Sequence, residues 1–445
     1  MKVIIVGAGK LGNKLAQALD KSDIAVTLVD TNPKVIERVN DHLDVLTANG
    51  NGLEIEILKE LNIASYDLLI AATGSDETNT IICTLAKKNG CQMTIARIRN
   101  PEYRDQLDFF KTDMGIDHIV NPDHETAREI ARYLLKSYNF YSGDFAKGKV
   151  QMVDFNVNHL KDFVGRKITE IDHMEEVLIT AILRDGEIMI PDGSTEIKPD
   201  DLIYVIGEAD NIYRLGENLK IHIEKKQIKR VMILGGGKIG YYLAKILAEA
   251  DIKVTIIEQK IERCDYLSEK LEGVLVIHGD GTDINLLEEE DLLAMDAFIG
   301  ATDLDEQNIL MSLMAKQAGI NKVIAKISRP SYNHIIDKLG IDMAINPVNI
   351  TASDILKFIR GGKVVSVSLL LGDKAEVTEI LISENVSAVG KKIMDLGLPK
   401  GIIIGAIVRD NEVIIPNGHT EIHTQDRLII FCLVSDIKAL QVFLR

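Results

Sequence analysis

The feature that most constrains this chain is a pattern that occurs twice, an apolar run followed by Gly-x-Gly-x-x-Gly. The runs start at Val3 and Val231, and the motifs are Gly7 to Gly12 and Gly235 to Gly240. Later segments match in the same order: Asn121-Pro122 with Asn346-Pro347, and Arg184-Asp185-Gly186-Glu187 with Arg409-Asp410-Asn411-Glu412. Recurrence over so long a period indicates a duplicated structural unit. The chain therefore consists of two repeats, and each repeat covers a whole half of it.

Each half opens with strand-length apolar segments that alternate with helical ones. In the first half, the predicted strands are Val3–Val6, Ala25–Asp30, Asp44–Ala48, Leu68–Ala72, Met93–Arg97 and Ile119–Val120. Such alternation predicts an α/β domain, a Rossmann-like doubly wound parallel sheet with helices on both faces. A helix follows, whose apolar stripe packs either on the domain's own sheet or on another subunit; the stripe is Ala127, Ile130, Ala131, Leu134, Leu135 and Tyr138.

The rest of each half, from about Val150 and about Val364, has short strands and turn residues. Asp185-Gly186 between two apolar runs is typical of a two-residue β-hairpin. We therefore predict that each Rossmann-like domain is followed by a small α+β domain. The predicted domain ranges are 1–140, 141–224, 225–360 and 361–445.

Composition excludes several classes of protein. The net charge of −16 comes without a basic stripe, which argues against nucleic-acid binding. The four cysteines have no Cys-x-x-Cys spacing, so we expect no metal site and buried thiols in a reduced, intracellular setting. Met1 leads directly into a predicted strand, so we expect no signal peptide. No apolar run approaches the ~20 residues that a membrane-spanning helix needs, so another chain would have to bring this one to a membrane.

The glycine motifs predict a nucleotide site in each half. Gly7 permits a tight turn, Gly9 lets a pyrophosphate approach the backbone, and Gly12 lets the helix pack on the strand. The amides of the helix start would then face the phosphates. Asp30 and Glu258 follow at the usual spacing of about 20 residues, where a carboxylate accepts hydrogen bonds from ribose hydroxyls.

Other candidates stand where the third, fourth and fifth strands end, the edge at which such sheets bind ligands. Asn51 and Asp280 would contact the adenosine or a phosphate-bound cation, or simply form a turn. Thr73, Gly74 and Thr302 would contact the nucleotide, while Asp76 is as plausibly a helix cap. Arg97 and Lys326 would bind phosphate, with a surface ion pair as the alternative. We find no catalytic triad with a supporting motif.

Together these motifs resemble a known pair of domains. The first glycine turn with Asp30, the Gly50-Asn51-Gly52 turn, Thr73 with Asp76-Glu77 and Asn79, and Arg97 resemble the RCK (also called KTN) N-terminal domain. The Val164-Gly165-Arg166-Lys167 turn and the Asp185-Gly186 hairpin resemble the RCK C-terminal domain. Two such pairs in one chain are similar to the TrkA family of potassium-uptake regulatory proteins.

The resemblance implies two cofactor-binding sites for NAD(H), alternatively for ATP or ADP. Carried over by residue, the first site is Gly7, Ala8, Gly9, Lys10, Leu11, Gly12, Asp30, Asn51, Thr73, Gly74 and Arg97. The second is Gly235, Gly236, Gly237, Lys238, Ile239, Gly240, Glu258, Asp280, Thr302 and Lys326. The halves differ at Asn51 against Asp280 and at Arg97 against Lys326, which leaves open whether both bind the same ligand.

The resemblance also implies a role. The protein would be a cytoplasmic regulatory subunit, peripheral on the inner face of the membrane, that forms a homo-oligomeric ring and gates an integral-membrane potassium transporter of the Trk type. The main rival is an NAD-dependent oxidoreductase, which would need a larger catalytic domain with an acid–base residue near the nicotinamide. A redox-sensing transcription factor is disfavoured because no basic helix-turn-helix segment is visible.

Overall fold

The computed structural model describes residues 1–20, 24–135, 143–159, 163–171, 176–218, 228–329, 332, 339–360, 364–370 and 374–443. The chain forms two compact units, one of Met1–Lys136 with Gln227–Ile355 and one of Ser137–Lys226 with Leu356–Arg445. The first unit holds the two Rossmann-like domains and the second the two small domains. The boundaries predicted after residues 140 and 224, and Tyr138, lie outside the described residues.

The first Rossmann-like domain is a six-stranded sheet. Its strands are β1 (Lys2–Val6), β2 (Ala25–Asp30), β3 (Leu46–Asn49), β4 (Leu68–Ala71), β5 (Met93–Arg97) and β6 (His118–Val120). They are parallel, in the order β3-β2-β1-β4-β5-β6. Its helices are α1 (Lys10–Asp20), α2 (Pro33–Asn40), α3 (Ile55–Glu60), α4 (Asp76–Lys88), α5 (Leu107–Thr112) and α6 (Pro122–Leu135). The predicted doubly wound fold is confirmed.

The first small domain is an antiparallel sheet with one described helix. Its elements are β7 (Gly143–Phe145), β8 (Val150–Asn156), β9 (Val177–Arg184), β10 (Glu187–Met189), β11 (Leu202–Glu208) and α7 (Ala209–Asn218). The strand order is β10-β9-β11-β8-β7. The hairpin predicted at Asp185-Gly186 is present, and both residues have positive φ, 51° and 80°, as the predicted tight turn requires.

The second half repeats this plan. Its Rossmann-like domain contains β12 (Arg230–Leu234), α8 (Lys238–Glu249), β13 (Lys253–Glu258), α9 (Ile261–Lys270), β14 (Val274–His278), α10 (Ile284–Glu289), β15 (Ala297–Gly300), α11 (Asp305–Gln317), β16 (Lys322–Lys326), β17 (Met343–Ile345) and α12 (Pro347–Arg360). Its small domain contains β18 (Val364–Leu370), β19 (Ala375–Leu381), β20 (Ile402–Arg409), β21 (Glu412–Ile414), β22 (Arg427–Leu433) and α13 (Ile437–Phe443). The sheet orders are β14-β13-β12-β15-β16-β17 and β18-β19-β22-β20-β21.

The apolar stripe on α6 contacts the other Rossmann-like domain of the same chain, where α6 packs on α8. Ala127, Ile130, Ala131 and Leu134 are buried as predicted. Leu135 is not, because its position falls at the edge of the stripe, and 51% of it is exposed. The sequence left two partners open for this stripe, and neither was the duplicated domain in the same chain.

The two small domains share one apolar core. It joins Phe145, Met152 and Ile206 of the first to Val377 and Phe431 of the second, all of them buried. A sheet face of this kind needs an apolar partner to be stable in water. In this unit each duplicated domain supplies that partner for the other.

The cysteines agree with what the composition predicts, and the helix lengths bear on a second prediction from it. All four cysteines are buried and free, and burial raises the pKa of the Cys83 and Cys432 thiols, which keeps them protonated and unreactive. In the described part of the chain, no helix is long and apolar enough to cross a membrane.

Each small domain contains an equivalent ion pair, Arg184 with Asp201 in the first and Arg409 with Asp426 in the second. Removal of the second pair is a test of the packing of its domain. Arg409 binds the fully buried Asp426 through two hydrogen bonds of 2.7 Å. We expect Arg409→Ala to destabilise the protein by about 3 kcal/mol, because it leaves a buried carboxylate without its cation. Urea denaturation followed by circular dichroism measures this.

The control is Lys270→Ala, which removes a pair between two exposed side chains, Lys270 and Glu269. Its denaturation midpoint should match that of the wild type, since exposed pairs contribute little. An unchanged midpoint for Arg409→Ala would contradict the assignment.

Candidate nucleotide-binding sites

The glycine turns bring each helix start into contact with the strand before it. Gly7 and Gly235 have φ of 105° and 104°, which favours glycine. A Cβ on Gly12 would lie 1.9 Å from the Gly7 carbonyl oxygen, and one on Gly240 would lie 2.1 Å from that of Gly235. Only glycine permits this approach. The packing roles predicted for the first and last glycines therefore follow from the geometry.

The middle glycine of each motif faces open space. A Cβ on Gly9 or Gly237 would meet no atom within 4 Å. Helical bonding begins with the N–H of Asn13 donating to Gly9 and that of Tyr241 donating to Gly237. The preceding amides of each first turn have no intrahelical acceptor. Both turns thus have the space and the donors that a pyrophosphate needs.

A carboxylate is fixed beside each turn. Asp30 accepts hydrogen bonds from the amides of Ala8 at 2.7 Å and Asn32 at 2.9 Å. Glu258 accepts them from the amides of Gly236 at 2.8 Å and Lys260 at 2.9 Å. Each carboxylate oxygen retains a lone pair for a ribose hydroxyl. The acid is therefore held in position by the turn before any ligand binds.

The residues after the third strand of each domain form turns. Asn51 accepts a hydrogen bond from the amide of Leu53, and Asp280 accepts two from Thr282. The bonds from Thr282 lower the pKa of Asp280 below its ordinary value, because they stabilise the ionised side chain. The turn role is thus present in both halves. Contact with adenosine or a cation stays a prediction.

Two buried asparagines at equivalent positions of the two halves, Asn79 and Asn308, organise the strand ends. Asn79 accepts hydrogen bonds from the amide and hydroxyl of Thr73, and donates one of 2.9 Å to the carbonyl of Arg97. Asn308 makes the same contacts with Thr302 and Lys326. Their recurrence in both halves was the available indication of a structural role.

The basic residues that end β5 and β16 are tied to the same loops. Arg97 donates to the Thr73 carbonyl at 2.7 Å, and Lys326 donates to the Thr302 carbonyl at 2.8 Å. Burial lowers the pKa of Arg97, and its Nε has no hydrogen-bond partner among the described residues. A buried guanidinium with an unsatisfied donor would be stabilised by a phosphate. Phosphate binding by either residue stays a prediction.

The suggestion that Asp76 caps a helix is wrong. Ser75 caps α4 by accepting a hydrogen bond from the amide of Thr78. Asp76 instead accepts from the amides of Arg99 and Asn100, and Asp305 does so from those of Ser328 and Arg329. In each half the carboxylate binds these loop amides, which have no hydrogen-bond partner in the parallel sheet. It therefore fixes the loop that follows the fifth strand.

The second turn lies close to the first domain. Tyr242, at the start of the second turn of α8, accepts a hydrogen bond from Asn121 at 3.0 Å and donates one to the Arg99 carbonyl at 3.3 Å. Burial raises the pKa of Asp123 at the start of α6, whereas the positive charges of Arg99 and Lys238 lower it. Residues that hold the loops of one site thus contact the helix that begins at the other.

Among the described residues, no group of three or more His, Cys, Asp and Glu side chains could hold a metal ion. In each half the geometry brings together an open glycine turn, a fixed acid and a basic residue. These groups fit a nucleotide with a pyrophosphate. We call the two turns, Gly7 to Gly12 and Gly235 to Gly240, the first and second cradles.

Two family models match this chain, each of them twice. The TrkA-N domain matches residues 3–122 and 231–347, and the TrkA-C domain matches residues 152–220 and 377–445. The Trk system potassium uptake protein TrkA homolog 1 of Methanosarcina mazei is 36% identical over 444 residues, with 98% of each chain covered. The TrkA homolog of Archaeoglobus fulgidus is 35% identical, with 100% of each covered. These names describe potassium uptake proteins, in agreement with the expectation of a non-enzyme.

Solved structures share the fold. The GsuK channel bound to NAD aligns with a TM-score of 0.56 at 18% identity, covering 100% of this chain and 78% of that one. GsuK bound to ADP aligns with a TM-score of 0.52 at 14% identity, covering 80% of this chain and 68% of that one.

The open cradles permit a direct test of each site. A Cβ at Gly9 or Gly237 would meet no atom within 4 Å, so Gly9→Asp and Gly237→Asp should fold and place a negative charge at the predicted phosphate position. We expect each variant to lose nucleotide affinity at its own site by more than about 30-fold. Isothermal titration with NADH and ADP measures the change.

The matched controls are Gly9→Asn and Gly237→Asn, which have the same size without the charge. They should retain more affinity than the aspartate variants. Wild-type affinity at both sites in the Gly9→Asp, Gly237→Asp double variant would show that the ligand binds elsewhere.

Proposed function

Because this chain belongs to the TrkA family of Trk system potassium uptake proteins, as its domain matches and full-length relatives show, we propose that it is the nucleotide-binding regulatory subunit of a potassium uptake system. It gates an integral-membrane transporter subunit of the Trk type. The observation that carries the proposal is the pair of organised nucleotide cradles on two domains that pack directly on each other.

The ligand of these cradles is NAD(H), with ATP or ADP as the alternative. The open Gly9 and Gly237 positions and the fixed Asp30 and Glu258 carboxylates are suited to an adenine nucleotide with a pyrophosphate. GsuK, which shares the fold, has been solved with NAD and with ADP. The acids favour a free ribose 2′-hydroxyl, since they would repel a 2′-phosphate.

Gating requires that a nucleotide prefer one arrangement of the domains over another. The contacts of Tyr242 with Asn121 and the Arg99 carbonyl supply a route, because Tyr242 lies one turn from the second cradle. A ligand that moves the start of α8 must change these hydrogen bonds. In the proposed ring of several copies, such shifts add up at the transporter.

The proposed place of action is the cytoplasmic face of the membrane. The net charge of −16 suits a partner whose cytoplasmic loops are rich in Lys and Arg. The oxidoreductase alternative has less support, because the domain that follows each cradle is a compact sheet whose face is covered by its duplicate.

Reconstitution tests the proposal. The Trk-type membrane subunit of the same organism is placed in vesicles, and potassium flux is measured with this protein and with NADH, NAD, ATP or ADP. We expect at least one nucleotide to change the flux severalfold. The Gly9→Asp, Gly237→Asp double variant is the matched control and should remove the response.

Two results would contradict the proposal. One is tight nucleotide binding without any change in flux. The other is steady turnover of reduced nicotinamide, followed by its absorbance over a panel of substrates, which would favour an oxidoreductase.

A further inference from the structure

Arg263 lies beside the second glycine turn. It belongs to the first turn of α9, just after the strand that ends with Glu258. Its Nε donates to the carbonyl of Gly236 at 2.6 Å, and its Nη2 donates to that of Gly237 at 3.3 Å. The guanidinium therefore stands next to the glycine whose open side faces the predicted phosphate position.

The guanidinium is held by stacking and carries an unpaired charge. It lies over the ring of Tyr266, 4.5 Å from the ring centroid. Among the described residues, no carboxylate lies within ion-pair distance of it, and Nη1 has no hydrogen-bond partner. A stacked guanidinium loses little further freedom when it binds an oxyanion, and its planar donors suit phosphate. The second site thus has a cation already in place for a ligand.

The first site lacks this group. In the repeat that aligns Asp30 with Glu258, Val35 occupies the position of Arg263. Val35 is half-buried and carries no charge. Two other basic residues are matched between the halves, Lys10 with Lys238 and Arg97 with Lys326. Lys34 and Lys260 have no basic equivalent, but both are exposed. The duplicated sites therefore differ in whether a guanidinium is hydrogen-bonded to the glycine turn.

We propose that Arg263 makes the second site select an adenine nucleotide with a free phosphate chain, such as ADP or ATP, over NAD(H), a preference that the first site does not share. A terminal phosphate carries an ionisation that the internal pyrophosphate of a dinucleotide lacks. A nearby unpaired cation therefore attracts ADP more strongly than NADH. This inference rests on the proposed function, because it takes both cradles to bind nucleotides.

The test measures the two affinities at one site. The full-length chain carries Gly9→Asp, which blocks the first cradle. ADP and NADH are each titrated into this chain and into the same chain with Arg263→Val, which introduces the residue found at the equivalent position of the first half. We expect Arg263→Val to lower the affinity for ADP about tenfold and the affinity for NADH less than about threefold, as for the loss of one charge-assisted hydrogen bond. Arg263→Lys should retain part of the preference.

The reciprocal variant is a gain of function. With the second cradle blocked by Gly237→Asp, Val35→Arg should raise the ADP affinity of the first site and leave that for NADH nearly unchanged. The thermal unfolding midpoint of each variant is measured to check that the variant folds.

The outcomes separate the two hypotheses. If Arg263→Val lowered the affinities for ADP and NADH equally, Arg263 would only stabilise the glycine turn. This result would overturn the present inference but not the proposed function. An ADP-to-NADH ratio that is the same at both wild-type sites would also overturn it. If neither nucleotide binds the wild-type chain, the proposed function fails and this inference with it.

Discussion

The close approach of the first helix to the glycine turn in each Rossmann-like domain determines the geometry of its site. A side chain on Gly12 or Gly240 would collide with the carbonyl oxygen of the first glycine of its own motif. The helix therefore begins directly above the end of its strand, with its first amides facing outward. From there, the acid at the end of the next strand reaches the turn amide, and the cradle has its shape before a ligand arrives.

Polar side chains fix the rest of each site, whereas the contact between the two domains depends on other hydrogen bonds. Asn79 and Asp76 fix the loops after the fourth and fifth strands through backbone hydrogen bonds. Tyr242 instead bonds to the other domain, through a side-chain amide and a carbonyl. These contacts can be exchanged without unfolding either sheet. A ligand that prefers one arrangement would shift the balance there.

Buried strands were the most predictable part. The bounds of β2 and β5 agree residue for residue with the expectation, because both faces of these strands are covered and their apolar runs are continuous. The edge strand β3 starts two residues later than expected, since its partly exposed residues give a weak pattern. The partners of Asn79 and Asp76 depend on loops distant in the chain. The contact of α6 with α8 depends on how two domains pack, which a helical stripe does not specify.

The shared core of the small domains has a consequence for how this chain can diverge. A half-length ancestor with the same apolar sheet face would need a second identical copy to cover Phe145 or Phe431, and a symmetric dimer carries every substitution twice. Joining both copies in one polypeptide removes that restriction. Arg263 in one half and Val35 in the other are then allowed to differ. A chain that contains both copies can therefore carry two different ligand preferences, which a symmetric dimer of identical chains cannot.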